Sequence, residues 1–368
     1  MYVMDQIFMS VEEVRAIQGL LSDVSRQYNS VEDPGFLNEV TVIAHELPRS
    51  LRNFLNNFKR QEPAGGACLI KGYPVDDQKI GPTPEHWKQR SEISPTLEHE
   101  LLMMLFGALL GDAIAWATQQ DAHIIHEVFP IKGDENEQIS TGSNQVISWH
   151  NEDAFHPFRG DYVALMCLRN FDRIPTTLAS VDQIKLSHRE INILFEPRFV
   201  IYPDESHAEK NNSLKVSYSG NGNGNGNGNG NGNGNGNGHR NGNGTDPLKA
   251  ARDRIRKMHS SPSKLAVLYG DPHSPYLRLD PYFMRPSEDD EAQYALNALI
   301  RAVDKCLGEV VLEPGDFLFV DNYRAVHGRK HFKARYDGTD RWLKRMNITR
   351  DLRKSRSART TCSSRVIY

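Results

Sequence analysis

Val310-Val311-Leu312-Glu313-Pro314-Gly315-Asp316-Phe317-Leu318-Phe319-Val320 holds two short apolar runs joined by a Pro-Gly-Asp turn. Proline presets φ at the first turn position and glycine accepts the second, so the stretch reads as strand, turn, strand. The same texture extends outward over residues 146–149, 162–168, 199–202, 264–268 and 342–349. Ahead of it the pattern is helical. Ser10 and Glu13 form a capping-box pattern before Val14, Ile17, Leu20 and Leu21. Ser94-Pro95 is read as a second helix start, followed by a stripe of Leu101, Leu102, Met104, Leu105, Ala108 and Leu109. Many short strands with polar turns, and helices gathered at the N-terminal end, predict an α+β fold: a β-sandwich or jelly roll with helical support. Helix and strand patterns do not alternate as a parallel α/β sheet requires. Neither a dinucleotide-binding nor a phosphate-binding glycine loop is present.

The 368 residues carry 44 Lys+Arg against 47 Asp+Glu, a formal charge of -3. That balance gives no global electropositive field and argues against nucleic acid as a partner. The longest apolar run, residues 101–111, is well short of the ~18 residues a bilayer span needs, so no membrane partner is expected. The N-terminus has no basic segment and does not read as a secretory signal. The four cysteines are scattered, which fits a reducing, cytoplasmic setting rather than a disulfide scaffold. A Gly-Asn tract from Gly220 through Gly244 holds 12 of the 28 glycines. It is expected to stay solvated, as a neutral expansion or as a mobile connection beside a lid over residues 203–245. The chemistry below needs residues from both sides of the tract, so the chain is read as one domain, residues 1–368. The tail, residues 352–368, carries five basic side chains and no acid, and is read as disordered.

Within Trp149-His150-Asn151-Glu152-Asp153, a strand would point His150 and Glu152 to one face, where an imidazole and a carboxylate can share a metal ion. His327 follows an apolar strand that breaks into Asp321-Asn322, which places it at a strand end or rim. Two histidines and one carboxylate leave coordination positions open, the arrangement of non-haem Fe(II) oxygenases. Arg341 and Arg345 share a face if 341–345 is a strand, and guanidinium holds carboxylate by two parallel hydrogen bonds. Two inward arginines suit an oxo-acid cosubstrate and an amino-acid substrate; two surface arginines pairing with acids are the plainer alternative. His123, His126 and His156 read as structural.

The run from His150 to Phe158, with Asp161-Tyr162-Val163 and Cys167-Leu168-Arg169-Asn170, resembles the clavaminate synthase-like Fe(II)/2-oxoglutarate oxygenases. The likeness is strongest to the branch that hydroxylates free amino acids, which includes arginine, lysine and asparagine enzymes. It extends over Ala115 to Asp121, Pro203 to His207, Leu268 to Pro272, Pro275 to Asp280 and His327 to Arg345. The resemblance implies a double-stranded β-helix (jelly roll) core with N-terminal and flanking helices. It implies Fe(II) on His150, Glu152 and His327, with 2-oxoglutarate and O2 as cosubstrates. Arg341 is then expected to hold the distal carboxylate of 2-oxoglutarate, with Thr177, chosen over Thr176, beside it. Arg345 is expected to hold the substrate α-carboxylate and Gln119 to lie near the α-amino group, next to Glu152. Asp204 and Ser206, in the lid, and Asp280 are expected to meet a cationic side-chain end. The implied reaction is hydroxylation at Cβ or Cγ of a free basic L-amino acid, arginine or an arginine-like residue, with release of succinate and CO2. Pro281 and Tyr282 stand where the arginine enzymes carry a second acid, which keeps lysine open. Asparagine hydroxylation, desaturation, and a metal-binding jelly roll without turnover are the alternatives. Glu152 itself excludes the halogenase pattern, in which glycine or alanine takes that place.

Overall fold

The computed structural model describes residues 2–213, 246–285 and 289–368, so the Gly-Asn tract lies outside the described residues. The strands in chain order are β1 (Asp5–Phe8), β2 (Ala67–Lys71), β3 (Asp112–Trp116), β4 (Ile125–Val128), β5 (Ile147–His150), β6 (Tyr162–Arg169), β7 (Thr176–Ser180) and β8 (Val200–Ile201). They continue as β9 (Leu268–Asp271), β10 (Ser274–Leu277), β11 (Met284–Arg285), β12 (Gly308–Val310), β13 (Phe317–Asp321), β14 (Ala325–Arg329), β15 (Trp342–Thr349) and β16 (Val366–Ile367). The helices are α1 (Val11–Gln27), α2 (Pro34–Ala44), α3 (Arg49–Gln61), α4 (Asp77–Ile80), α5 (Leu97–Leu110), α6 (His188–Leu194), α7 (Pro247–Ser260) and α8 (Asp290–Cys306).

Two sheets dominate. The larger has eight strands in the order β1-β2-β13-β6-β15-β3-β16, with β4 also paired to β15; the smaller is β12-β7-β14-β5, antiparallel throughout. Strand alternation sorts side chains between layers. Phe317 and Phe319 of β13, with Tyr162, Ala164 and Met166 of β6, face the core built by α1, α2, α3 and α5. Leu318 and Val320, with Val163, Leu165 and Cys167, face Leu178 and Ala325 of the smaller sheet. The outer face of that sheet presents Ala179 and Val326 to Leu296, Leu299 and Val303 of α8. The order is therefore helices, large sheet, small sheet, helices.

Local chemistry explains the element ends. The Ser10 side chain accepts from Glu13 N and the Glu13 side chain accepts from Ser10 N, so both halves of the predicted capping box form. At the predicted Pro314-Gly315 turn, Gly315 has φ +88° and a Cβ there would lie 1.7 Å from the Tyr73 carbonyl oxygen, so only glycine fits.

Three expectations need correction. Helices are not confined to the N-terminal end, where α1 to α5 lie: α8 spans 17 residues in the second half, and its buried Ala292, Ala295, Leu296, Leu299 and Val303 carry a helical period that the strand-rich surroundings masked. The helix read from Ser94-Pro95 is α5, preceded by the unread α2 and α3, and it begins at Leu97, not Pro95; the Ser94 and Thr96 hydroxyls instead bind the Glu100 carboxylate. The basic tail, expected to be disordered, is folded. Residues Leu352–Ala358 form a 3-10 helix, and β16 pairs in parallel with β3 through Val366–Ala115 and Ile367–Trp116. Arg359 is buried and donates to the carbonyls of Leu352, Thr361, Cys362 and Ser364, which uses a cation without an acid. Counting charge alone missed this.

Candidate active site

β5 and β14 lie side by side, with His150 opposite His327 in register. His327 therefore stands in mid-strand rather than at a rim. The chain leaves β13 in the large sheet and enters β14 in the small one within three residues, a crossing that no local pattern signals. Glu152 lies beyond the end of β5, in a turn where Asp153 has φ +50°, and reaches the histidines by that turn rather than by strand alternation. Glu152 Oε2 is 3.7 Å from His150 Nε2 and 3.4 Å from His327 Nε2. One ligand atom from each of the three lies within 4.8 Å of the others. His150 Nδ1 is 2.8 Å from the Ser148 carbonyl oxygen, so Nδ1 carries the proton and Nε2 offers its lone pair inward.

Electrostatics match this donor set. Burial raises the Glu152 carboxyl, but the Arg345 guanidinium and the two imidazoles outweigh it and hold it well below the usual range. Burial lowers His150, yet its hydrogen bond to Glu152 and the charge of Asp280 lift it to about 9, so a metal ion bound here must displace the Nε2 proton. Burial keeps His327 below its ordinary value. Two imidazoles and an ionised carboxylate converging on one point are a fitting cradle for Fe(II).

Two asparagines, not singled out in the sequence, set the turn. Asn322 Oδ1 accepts from Glu152 N at 2.7 Å, and its Nδ2 donates to the carbonyls of Glu152 and Gly160, each at 2.9 Å. Asn151 Nδ2 donates to the carbonyls of Asn322 and Ala325, and Asn151 Oδ1 accepts from Leu279 N. Both side chains are fully buried. The signal that could have found Asn322 is its position: with Asp321 it ends an apolar run, where the freed backbone needs partners.

The three ligand residues open onto a cavity between the sheets, also lined by Arg341, Arg345, Thr176, Asp204, Ser206, Asp280 and Arg329. Arg341 and Arg345 share the inward face of the 341–345 segment, as predicted. Arg345 pairs with Glu152 and donates to Gln119 Oε1 at 3.3 Å and to His126 Nδ1 at 2.8 Å. Arg341 is buried, and burial pulls its guanidinium down to about 10; its Nη2 reaches Thr176 Oγ1 at 3.4 Å. Thr177 is the wrong choice of the pair: on β7 it sits one residue out of phase, opposite Gly328 and facing away from the cavity, whereas Thr176 faces in. Gln119 is buried behind Arg345 and is tied to Ser206. Asp280 is lifted to about 6, chiefly by burial and partly by Asp204.

A second group, Asp153, Asp204 and His207, also brings ligand atoms within 4.8 Å. There the carboxylate is already occupied: Trp116 Nε1 and Asn347 Nδ2 donate to Asp153 Oδ2, and His207 Nε2 lies 3.0 Å from Oδ1. It is a hydrogen-bonded hub rather than a metal cradle. His123 pairs with Glu32, and the buried His126 and His156 belong to neither group of candidate ligands.

Comparison with known proteins agrees with this geometry. Residues 208–347 match the model of the family described as taurine catabolism dioxygenase TauD, TfdA family. The chain is 41% identical to an enduracididine beta-hydroxylase of Streptomyces hygroscopicus, over 97% of this chain and 98% of that one. It is 40% identical to an L-ornithine/L-arginine 3-hydroxylase of Catenulispora acidiphila, over 99% and 100%. The crystal structure of the non-heme iron oxygenase OrfP with Fe, succinate and (3S)-hydroxy-L-Arg superposes with TM-score 0.88 at 41% identity, covering 99% of this chain and all of that one. OrfP with Fe and alpha-ketoglutaric acid gives 0.81 at 39% identity.

Proposed function

Because the chain belongs to the TauD/TfdA dioxygenase family, we propose that it hydroxylates an unactivated C–H at Cβ or Cγ of a free basic L-amino acid, arginine or an arginine-like residue. Fe(II) with 2-oxoglutarate and O2 supplies the oxidising power, and succinate and CO2 leave. His150, Glu152 and His327 hold the iron. The two sheets form the walls of a jelly roll, and the reaction takes place in the cytoplasm, a setting the four free thiols support.

The protein's share is aim. Arg341, with Thr176 beside it, takes the distal carboxylate of 2-oxoglutarate; among the described residues this buried guanidinium has no carboxylate neighbour, which supports the reading. Arg345 takes the α-carboxylate of the amino acid while keeping Glu152 ionised, and Gln119 receives the α-amino end. Asp204, Ser206 and Asp280 receive the cationic terminus. Anchoring a flexible chain at both ends fixes which carbon faces the iron, and a displacement of ~1 Å costs roughly a hundredfold in rate.

The observation that carries this reading is that His150, Glu152 and His327 share one cavity with two inward arginines and two acids. The test is turnover of L-arginine, L-ornithine, L-lysine and L-asparagine with Fe(II) and 2-oxoglutarate, read by mass spectrometry. A basic amino acid gains one oxygen atom with matching succinate. Oxygenation of asparagine alone, loss of two hydrogens, or succinate that no amino acid stimulates would each refute it.

A further inference from the structure

His207 takes no part in the chemistry described above, yet it is among the most confined side chains near the cavity. Its side chain has no solvent exposure. Nδ1 is 2.6 Å from Thr118 Oγ1 and Nε2 is 3.0 Å from Asp153 Oδ1, so both ring nitrogens are engaged. The Trp116 and Phe155 rings pack against it edge-on at 5.7 and 5.1 Å between centroids. The residues it carries are those that face the substrate: Ser206, one residue back, is bonded to Gln119 and to Asp204.

The turn after Gln119 is strained. Gln120, Asp121 and Ala122 have φ of +39°, +56° and +67°, three successive non-glycine residues in the left-handed region. Such backbone persists only where surrounding structure over-determines it. Here the 204–213 segment does so: Asp121 N donates to Asn212 Oδ1, and Ser213 N donates to Asp121 Oδ1. Segment and turn hold each other, and His207 is the buried attachment of the segment to the sheet.

We propose that His207 is a positioning residue for the amino-acid substrate: lodged between Thr118 and Asp153, it pegs the 204–213 segment against the strained 120–122 turn and so fixes Gln119, Ser206 and Asp204 as one unit. The unit spans the α-end and the terminal end of the substrate, so His207 sets the distance between the two anchors and with it the carbon presented for reaction. This inference rests on the reading of the cavity given above. It is judged partly by a measurement that needs no turnover.

The test uses the full-length enzyme and the variants His207→Ala, His207→Gln and Thr118→Val. In metal-free, ligand-free protein, hydrogen–deuterium exchange across 203–213 rises about tenfold or more in His207→Ala and less in His207→Gln, which keeps a donor toward Asp153. With Fe(II) under anaerobic conditions, the visible band formed with 2-oxoglutarate half-saturates within about twofold of wild type, because Arg341 and the three ligands are untouched. In turnover, the amino-acid KM rises about tenfold, product per succinate falls, a second hydroxylation position appears, and kcat changes less than KM. His207→Gln recovers part of the KM and of the product ratio, and Thr118→Val loses part of both. Unchanged exchange over 203–213 overturns the inference whatever the activity. So does wild-type KM, product ratio and regiochemistry in His207→Ala. Loss of the 2-oxoglutarate band together with amino-acid binding, with no recovery in His207→Gln, would mark a general packing role and also overturn it. A wild-type enzyme that oxidises no amino acid would refute the proposed function separately, leaving the exchange result to decide on His207.

Discussion

Replacing Arg341 by methionine should stabilise the ligand-free protein while crippling its grip on 2-oxoglutarate. Arg341 is 6% exposed and, among the described residues, its guanidinium faces no carboxylate and makes one long side-chain hydrogen bond, to Thr176. Its fall from 12.5 to about 10 corresponds to about 3 kcal/mol of solvation not recovered in the fold. The neighbouring Arg329, itself pulled down to about 9 by burial and by Arg341, adds like-charge repulsion on the same wall. Methionine removes both penalties at similar volume, so the ligand-free melting temperature should rise by a few °C. The bound dicarboxylate then loses its counter-charge. An unpaired carboxylate in a buried site costs about 2–5 kcal/mol, a weakening of roughly thirtyfold or more. Anaerobic titration of the Fe(II) protein with 2-oxoglutarate measures the affinity, and thermal unfolding with and without 2-oxoglutarate measures the linkage. Wild type should gain about 2.7 kcal/mol at a hundred times Kd, and Arg341→Met little at the same concentration. Lower ligand-free stability together with unchanged 2-oxoglutarate affinity would show that Arg341 is a structural cation and refute the reasoning.

Removing either imidazole, His150→Ala or His327→Ala, should lower retained iron more than about tenfold after desalting, measured by elemental analysis. Asp280 is neutral below about pH 6 and ionised above, so its hold on a cationic terminus is present at pH 7.5 and lost as pH falls through 6. The kcat/KM for L-arginine should drop about tenfold by pH 5, and Asp280→Asn should flatten that profile at a low value. Lys344 is buried between Glu100 and Glu127. Lys344→Met strands two buried carboxylates and should cost about 3–5 kcal/mol in denaturant unfolding. Burial opposes Glu100 ionisation, but Lys344 outweighs it and holds the carboxyl at about 2, below its unfolded value. That contribution is present above about pH 4.5 and disappears as pH falls toward 2.

The readable parts of this chain were those with a local rule behind them. Alternation alone put Arg341 and Arg345 on one face, and the Ser10/Glu13 spacing alone gave the first helix start. Where two adjacent residues were chemically equal, as with Thr176 and Thr177, phase decided, and phase needs the neighbouring strand. Glu152 reached the metal-binding point for a reason different from the one predicted: a left-handed residue at Asp153 and the grip of Asn322, 170 positions away. The folded tail was hidden because arginine bonded to carbonyls looks, in sequence, the same as arginine in water. His327 could be picked as a candidate partner for His150 from its place after an apolar strand, and the likeness to known oxygenases strengthened that choice; its mid-strand seat depends on a chain that changes sheets between Asp321 and Ala325.

Asn151 and Asn322 carry no charge, so the joint that shapes the iron cradle offers acid and salt nothing to act on. The vulnerable point is chemical ageing instead. Hydrolysis of the one side-chain amide at Asn322 would set an acceptor against the Glu152 and Gly160 carbonyls, and a single such lesion would prise the carboxylate ligand out of line.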